Sequence, residues 1–241
     1  MDSTISSIQH SFDKEIRIFE RYLNDIHKSI GKLNKQAKDL EKYIDGGGSL
    51  DFPSRPVKNS TAMTMGMVDS PEMREVASFA LNNRMEELKS YIEISLTMAF
   101  SHFMTIFDSR YMDLISLYYE RNPKLLQDIT LERKLMNFSY KPFKTQILSI
   151  QNNMKIDFYK LLGLKRVSDL IEIRATRNLI IHNSSIVNNL YLDIVEGSAF
   201  KEGEKRPMTI AYFEQSTELM QLFFSILSQE INDKLWNQKK K

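Results

Sequence analysis

The sequence predicts an all-α protein, on three observations. Large apolar residues repeat in heptads over residues 12–44, apolar residues return at helical spacing from Ser70 onward, and few stretches have the composition of a strand. Met208 to Ala211 is the one short piece read as extended. No internal repeat is apparent.

The first element is the most regular. Phe12, Ile16, Phe19, Leu23, Ile26, Ile30, Leu33, Ala37, Leu40 and Ile44 alternate steps of four and three. A seam of that length predicts a long, coiled-coil-like helix that buries a narrow stripe against another helix. Lys14, Arg21, Lys28, Lys35 and Lys42 recur every seven residues on its outermost position. This row is either a track for a phosphate backbone or the solvated face that any soluble coiled coil needs. The second reading is preferred, because Asp25, Asp39 and Glu41 interrupt the row. Parallel self-pairing would set Glu15 and Glu20 against their copies, so antiparallel pairing or docking on the main domain stays open.

A glycine triplet at 46–48 with Pro53 and Pro56 marks residues 46–69 as a linker, in which Met63, Met65 and Met67 alternate. Ser70-Pro71-Glu72 supplies a capping hydroxyl, a proline for the first helical position and an early acid, and opens a helix over about 71–107. Residues 110–121 and 123–137 predict shorter helical pieces, and 142–162 a helix stopped by Gly163. Residues 167–183 form a fifth segment. The polar stretch GSAFKEGEKRP then precedes a closing helix from about Tyr212 to Trp236. The expected domains are a helix over 1–45, a linker over 46–69 and a helical domain over 70–241.

Composition narrows the function. A chain of 241 residues with 42% hydrophobic and 27% charged residues suits a soluble globular protein. The absence of cysteine excludes disulfides, thiolate metal sites and cysteine nucleophiles, and fits a reducing compartment. No secretory signal is visible, and no apolar run approaches the roughly 20 residues of a membrane-spanning helix, so cytoplasmic residence without membrane association is expected. A net charge of +2 does not announce a nucleic-acid binder, because that depends on where the basic residues cluster.

The segment that carries chemistry is RNLIIHNSS, residues 177–185. It sets Arg177, Asn178 and His182 around three aliphatic residues, although unpaired charge is costly to bury. On a helix Arg174, Asn178 and His182 share one face, with Leu170, Ile173, Leu179, Ile180 and Ile181 covering much of the rest. Arg177 lies about 140° around the helix from His182 and joins it only through its long arm.

Arg177-Asn178-Leu179-Ile180-Ile181-His182 resembles the R-x4–6-H motif of HEPN domains, helical bundles found in RNA-cutting toxins and antiviral-defence proteins. The bare spacing is common by chance; the asparagine after the arginine and the late position in an all-helical chain give it weight. The order of elements over about 70–241 is also similar to that family, with the heptad helix outside it. The resemblance implies a HEPN-like bundle and a homodimer that cleaves RNA without a metal or other cofactor, attacking through the ribose 2′-OH. It further implies Arg177, Asn178 and His182 as catalytic residues, Arg174 and Asn183 as RNA contacts, and an antitoxin or defence-complex protein as a further partner. Many toxins of the family carry a tyrosine two residues after the histidine; Ser184 stands there, so inactivation by modification of that tyrosine is not implied.

The residue types suit that chemistry. Histidine serves as base or acid, and arginine matches phosphate oxygens with a fixed charge. Two proton-transfer roles need two histidines, which a homodimer supplies. The competing expectation is structural: Arg174, Arg177, Asn178 and His182 form a buried network with Glu172 or Glu87, in a non-catalytic adaptor that assembles a larger complex. Of the other histidines, His10 and His27 are expected in solvent and His102 in the core, with no metal site among them. Tyr118, Tyr119 and Tyr191 are read as core before base-stacking residues.

Overall fold

The computed structural model describes residues 3–44 and 71–238, and they are helical throughout their regular structure. The helices are α1 (Ser3–Ile44), α2 (Pro71–Arg121), α3 (Leu131–Ser139), α4 (Phe143–Met154), α5 (Phe158–Leu162), α6 (Leu164–Asn183), α7 (Asn189–Ile194) and α8 (Ile210–Gln238), with a 3-10 turn at Pro123–Leu126. No strand occurs among the described residues; one antiparallel bridge joins Ile186 to Lys205. The extended piece expected at Met208 to Ala211 is absent, because α8 already begins at Ile210. The linker and the Ser70 cap lie outside the described residues.

Several boundaries move for identifiable reasons. Neither proline nor glycine falls between Phe107 and Asn122, so α2 runs on to Arg121 where two pieces were expected. Conversely, the expected single helix over 142–162 breaks in two. Lys155 turns left-handed at φ 57° to cap α4, and the Asp157 carboxylate accepts from the Lys160 N–H at 3.2 Å to start α5. Gly163 then adopts φ +86°, a conformation that favours glycine, and lets α6 begin at once.

The chain divides into two compact units. One comprises Met1–Glu20 and Glu93–Lys241, the other Arg21–Ile92. The boundary expected at the linker therefore gives way to one inside α1 and α2. The physical reason is aromatic. Phe12 is fully buried and its ring lies 4.2 Å from Phe224 of α8 and 6.1 Å from Phe107 of α2. Phe158 meets Phe223 at 4.6 Å, and Tyr111 stacks on Phe107 at 5.6 Å. Glu15 adds an ion pair to Arg110 at 3.0 Å. Along the heptad seam Phe12, Ile16, Phe19 and Leu23 are buried, while Ile26, Ile30 and Ala37 are half-buried. The five basic residues of the outer row are all exposed.

Within the first unit α6 is central, packed against α4, α5, α7 and α8. Tyr118, Tyr119 and Tyr191 are buried as expected. His102 is not: it is exposed, with its ring 5.8 Å from that of Phe19, because it falls on the outer face of α2 between the buried Phe100 and Phe103.

Two outcomes follow from this core. Phe12→Ala should destabilise the unit by about 3–5 kcal/mol in urea unfolding, as a large core truncation does, whereas Lys35→Ala should leave it unchanged. Burial pushes the Tyr111 phenol far above the ordinary 10.0, so the folded state holds a proton that the unfolded chain releases above pH 10. Stability should accordingly fall as the pH rises past 10. Tyr111→Phe should reduce that fall and leave neutral stability equal or higher, since the buried hydroxyl has no hydrogen-bond partner among the described residues.

Candidate functional site

The site is built at the C-terminal end of α6. The five residues that follow it, 184–188, explain the geometry: Ser184 and Ser185 both adopt left-handed φ, 51° and 65°, and both N–H groups are turned back to the carbonyl of Leu179. Asn183 fixes the corner, its side-chain amide donating to the Ile186 carbonyl. The chain therefore reverses and lays α7 beside α6, where Asn188 caps it by accepting from the Tyr191 N–H at 2.9 Å. Ala175, Leu179, Val187 and Tyr191 form the buried seam between the two helices.

A cleft of about 190 Å³ opens along that seam. Asn178 and His182, one turn apart on α6, line it together with Asn183, and Asn188, Leu190, Tyr191 and Ile194 form the opposite wall. Both Asn178 and His182 are exposed to solvent. Arg177 reaches the group sideways, its Nη1 donating to Asn178 Oδ1 at 3.2 Å. Its Nε is buried without a hydrogen-bond partner among the described residues. Burial lowers the guanidinium's pKa, while Asp108 opposes that shift and Arg174 adds to it.

The structure thus brings together three of the five residues singled out in the sequence, with Asn183 at the edge. Arg174 is used elsewhere. Its guanidinium pairs with Asp108 of α2 and lies 5.2 Å over the Phe143 ring, leaving the side chain 17% exposed. The carboxylates expected to pair with the motif do other work: Glu87 lies 3.4 Å from Arg84, and Glu172 belongs to a separate network.

That network was not legible beforehand. Glu172 Oε1 accepts from Thr176 at 2.8 Å, from Tyr191 at 2.9 Å and from Arg206 Nη2 at 2.6 Å, while Oε2 accepts from Tyr212 at 2.9 Å. Arg206 is only 7% exposed and stacks on the Tyr212 ring at 3.8 Å. Burial alone would lower the Arg206 pKa, but Tyr212, Glu172 and Tyr191 hold it above the ordinary arginine value. Its consequence for the cleft is direct, because Tyr191 is both a cleft wall and a member of the network. The GSAFKEGEKRP stretch, read as merely polar, ends in the arginine that pins α7 in place. Backbone bonds from Val187 N–H to the Glu204 carbonyl and from Arg206 N–H to the Ser185 carbonyl, 2.9 and 2.8 Å, secure the same loop.

Among the described residues, no group of three or more His, Asp or Glu side chains is arranged to hold a metal ion, and no helix is long and apolar enough to cross a membrane. Comparison of the chain with protein-family models, with curated proteins and with solved structures finds no match.

Removing the pinning arginine should be costly. Arg206→Met leaves the Glu172 carboxylate without its buried counter-charge, so urea unfolding should show a loss of about 3–5 kcal/mol. Limited proteolysis should then cut between residues 196 and 205 well before the rest of the domain.

Proposed function

We propose that the chain is a metal-independent endoribonuclease that acts as a homodimer in a toxin or antiviral-defence setting, with His182, Arg177 and Asn178 as its catalytic group and a HEPN-like bundle as its frame. The observation that carries this is the convergence of Asn178 and His182 on one open cleft, with Arg177 bonded to Asn178. A solvent-reachable imidazole beside an amide and an incompletely paired guanidinium is a group suited to a phosphodiester.

The chemistry divides among these side chains. One imidazole takes the proton of the ribose 2′-OH, the 2′ oxygen attacks the adjacent phosphorus, and the bond to the 5′ oxygen breaks. A second imidazole returns a proton to that leaving oxygen, so the products are a 2′,3′-cyclic phosphate and a 5′-hydroxyl. Arg177 faces the negative charge that builds on the non-bridging oxygens, where a fixed guanidinium gives differential stabilisation. Asn178 holds the Arg177 fork and presents its own amide to the cleft. Asn183 shapes the corner, and Arg174 acts from behind through Asp108.

Two imidazoles require two chains. The cleft wall carries Leu190 and Ile194, at 67% and 37% exposure, and Ile181 is exposed next to His182, an apolar margin suited to a second copy. The half-buried Arg174–Asp108 pair also fits the alternative of a non-catalytic adaptor, in which the same rim assembles a larger complex.

The decisive assay is RNA cleavage in EDTA. Wild-type protein should cut and leave 2′,3′-cyclic phosphate ends, and His182→Ala should lower the rate by about a hundredfold to ten-thousandfold while unfolding at the same urea concentration. Cleavage that persists in the folded variant refutes the catalytic assignment, and RNA binding without any cleavage by the wild type favours the adaptor.

A further inference from the structure

An RNA-cutting cleft needs positive charge to hold its substrate, and this cleft has little. From Arg177 to Glu204 the lysines and arginines are Arg177, already assigned to the reacting phosphate, and Lys201, against Asp193, Glu196, Glu202 and Glu204. The neighbouring cations are occupied: Arg174 by Asp108, Arg206 by Glu172, and Lys205 by Glu93 at 2.8 Å. Phosphate contacts dominate nucleic-acid affinity, so such a site binds RNA weakly by itself.

The missing charge is concentrated elsewhere. Residues 121–166 contain ten lysines and arginines and three acids, in a chain where the totals are 33 and 31. Along α4, Lys144, Leu148 and Asn152 are all exposed and fall on one side at steps of four, and Lys155, the left-handed cap that ends the helix, is exposed as well. Lys141 joins them, its Nζ donating to Ser149 at 3.3 Å. The corner before α4 is rigid, because buried Gln146 donates to the Ser139 and Lys141 carbonyls at 3.3 and 2.9 Å. That corner presents Tyr140 with 82% of its surface exposed. Lys165 and Arg166, both exposed on the first turn of α6, are set apart from this face, lining a groove against α8 together with Asp169 and Glu218. Among the described residues, no carboxylate lies within ion-pair distance of Lys141, Lys144 or Lys155.

We infer that this face, from Tyr140 along α4 to Lys155, is a docking surface for single-stranded RNA that holds the strand while its distal part enters the cleft. The inference rests on the RNA reading above. Exposed lysines supply phosphate contacts, and an exposed tyrosine ring supplies a stacking platform. The face begins where Phe143, at the head of α4, packs under Arg174, one turn before Asn178 on α6, and extends from there along α4 to Lys155. Long RNA spans both; a dinucleotide reaches only the cleft.

The test uses the full-length chain carrying Lys141→Glu, Lys144→Glu and Lys155→Glu, with Lys28→Glu and Lys35→Glu on α1 as the control. Fluorescence anisotropy with an unstructured RNA of about 20 nucleotides should show binding weakened at least tenfold by the triple change, equally for unrelated sequences. The slope of log affinity against log salt should shrink by about two, from roughly 0.7 per phosphate contact in single strands. Cleavage of a dinucleotide should be unchanged, while KM for long RNA rises and kcat does not. RNA binding that follows this pattern without cleavage upholds the surface and removes only the nuclease. Unaltered RNA binding by the folded triple variant overturns the surface, as does loss of binding in the α1 control alone, or retention on anionic phospholipid vesicles in place of RNA.

Discussion

The Glu172 carboxylate, gathering donors from four side chains, is the constraint on which the site depends. Thr176 lies on its own helix, Tyr191 on α7, Arg206 in the returning loop and Tyr212 on α8. Each of these groups would be costly to bury alone, and together they satisfy one another. The network is therefore an all-or-none joint. It fixes α7 against α6, and α7 is the wall that makes a cleft out of an otherwise flat helix end.

The four arginines of the first unit that are not exposed separate into two kinds on the same logic. Arg110, Arg174 and Arg206 each face a carboxylate, at Glu15, Asp108 and Glu172, and tie α1 to α2, α2 to α6 and the loop to α6. Arg177 stands next to this structural set but, among the described residues, has the Asn178 amide as its one hydrogen-bonded partner, with Asp108 already paired to Arg174. Under the proposed function, this difference in pairing is what would leave Arg177, unlike the other three, available to an anion.

Charge is distributed with comparable economy. Four acids follow the motif between Asp193 and Glu204, whereas the basic excess collects in residues 121–166, so the two regions differ in the sign of their charge. Both regions are attached to the same helix, α6, whose packing against four others makes it a stiff connector.

The sequence by itself determined the helical class, the long seam of α1, Gly163 as a stop, and the membership of Asn178 and His182 on one helical face, because each is a local consequence of periodicity or of a backbone conformation. It could not determine that Phe12 joins the same core as Phe107 and Phe224, since a heptad seam specifies a stripe to be buried and not the partner that buries it. Nor could it foresee the break at Lys155, where a left-handed lysine takes the place usually given to glycine, or the exposure of His102 among apolar neighbours. The partners of the charged residues were decided only in three dimensions. Arg174 meets Asp108 across 66 positions and Glu172 meets Arg206 across 34, and ion pairs of that separation leave no periodic trace along the chain. Spacing shows which side chains share a helix face; the fold decides which of them already have a partner and which remain available for a substrate.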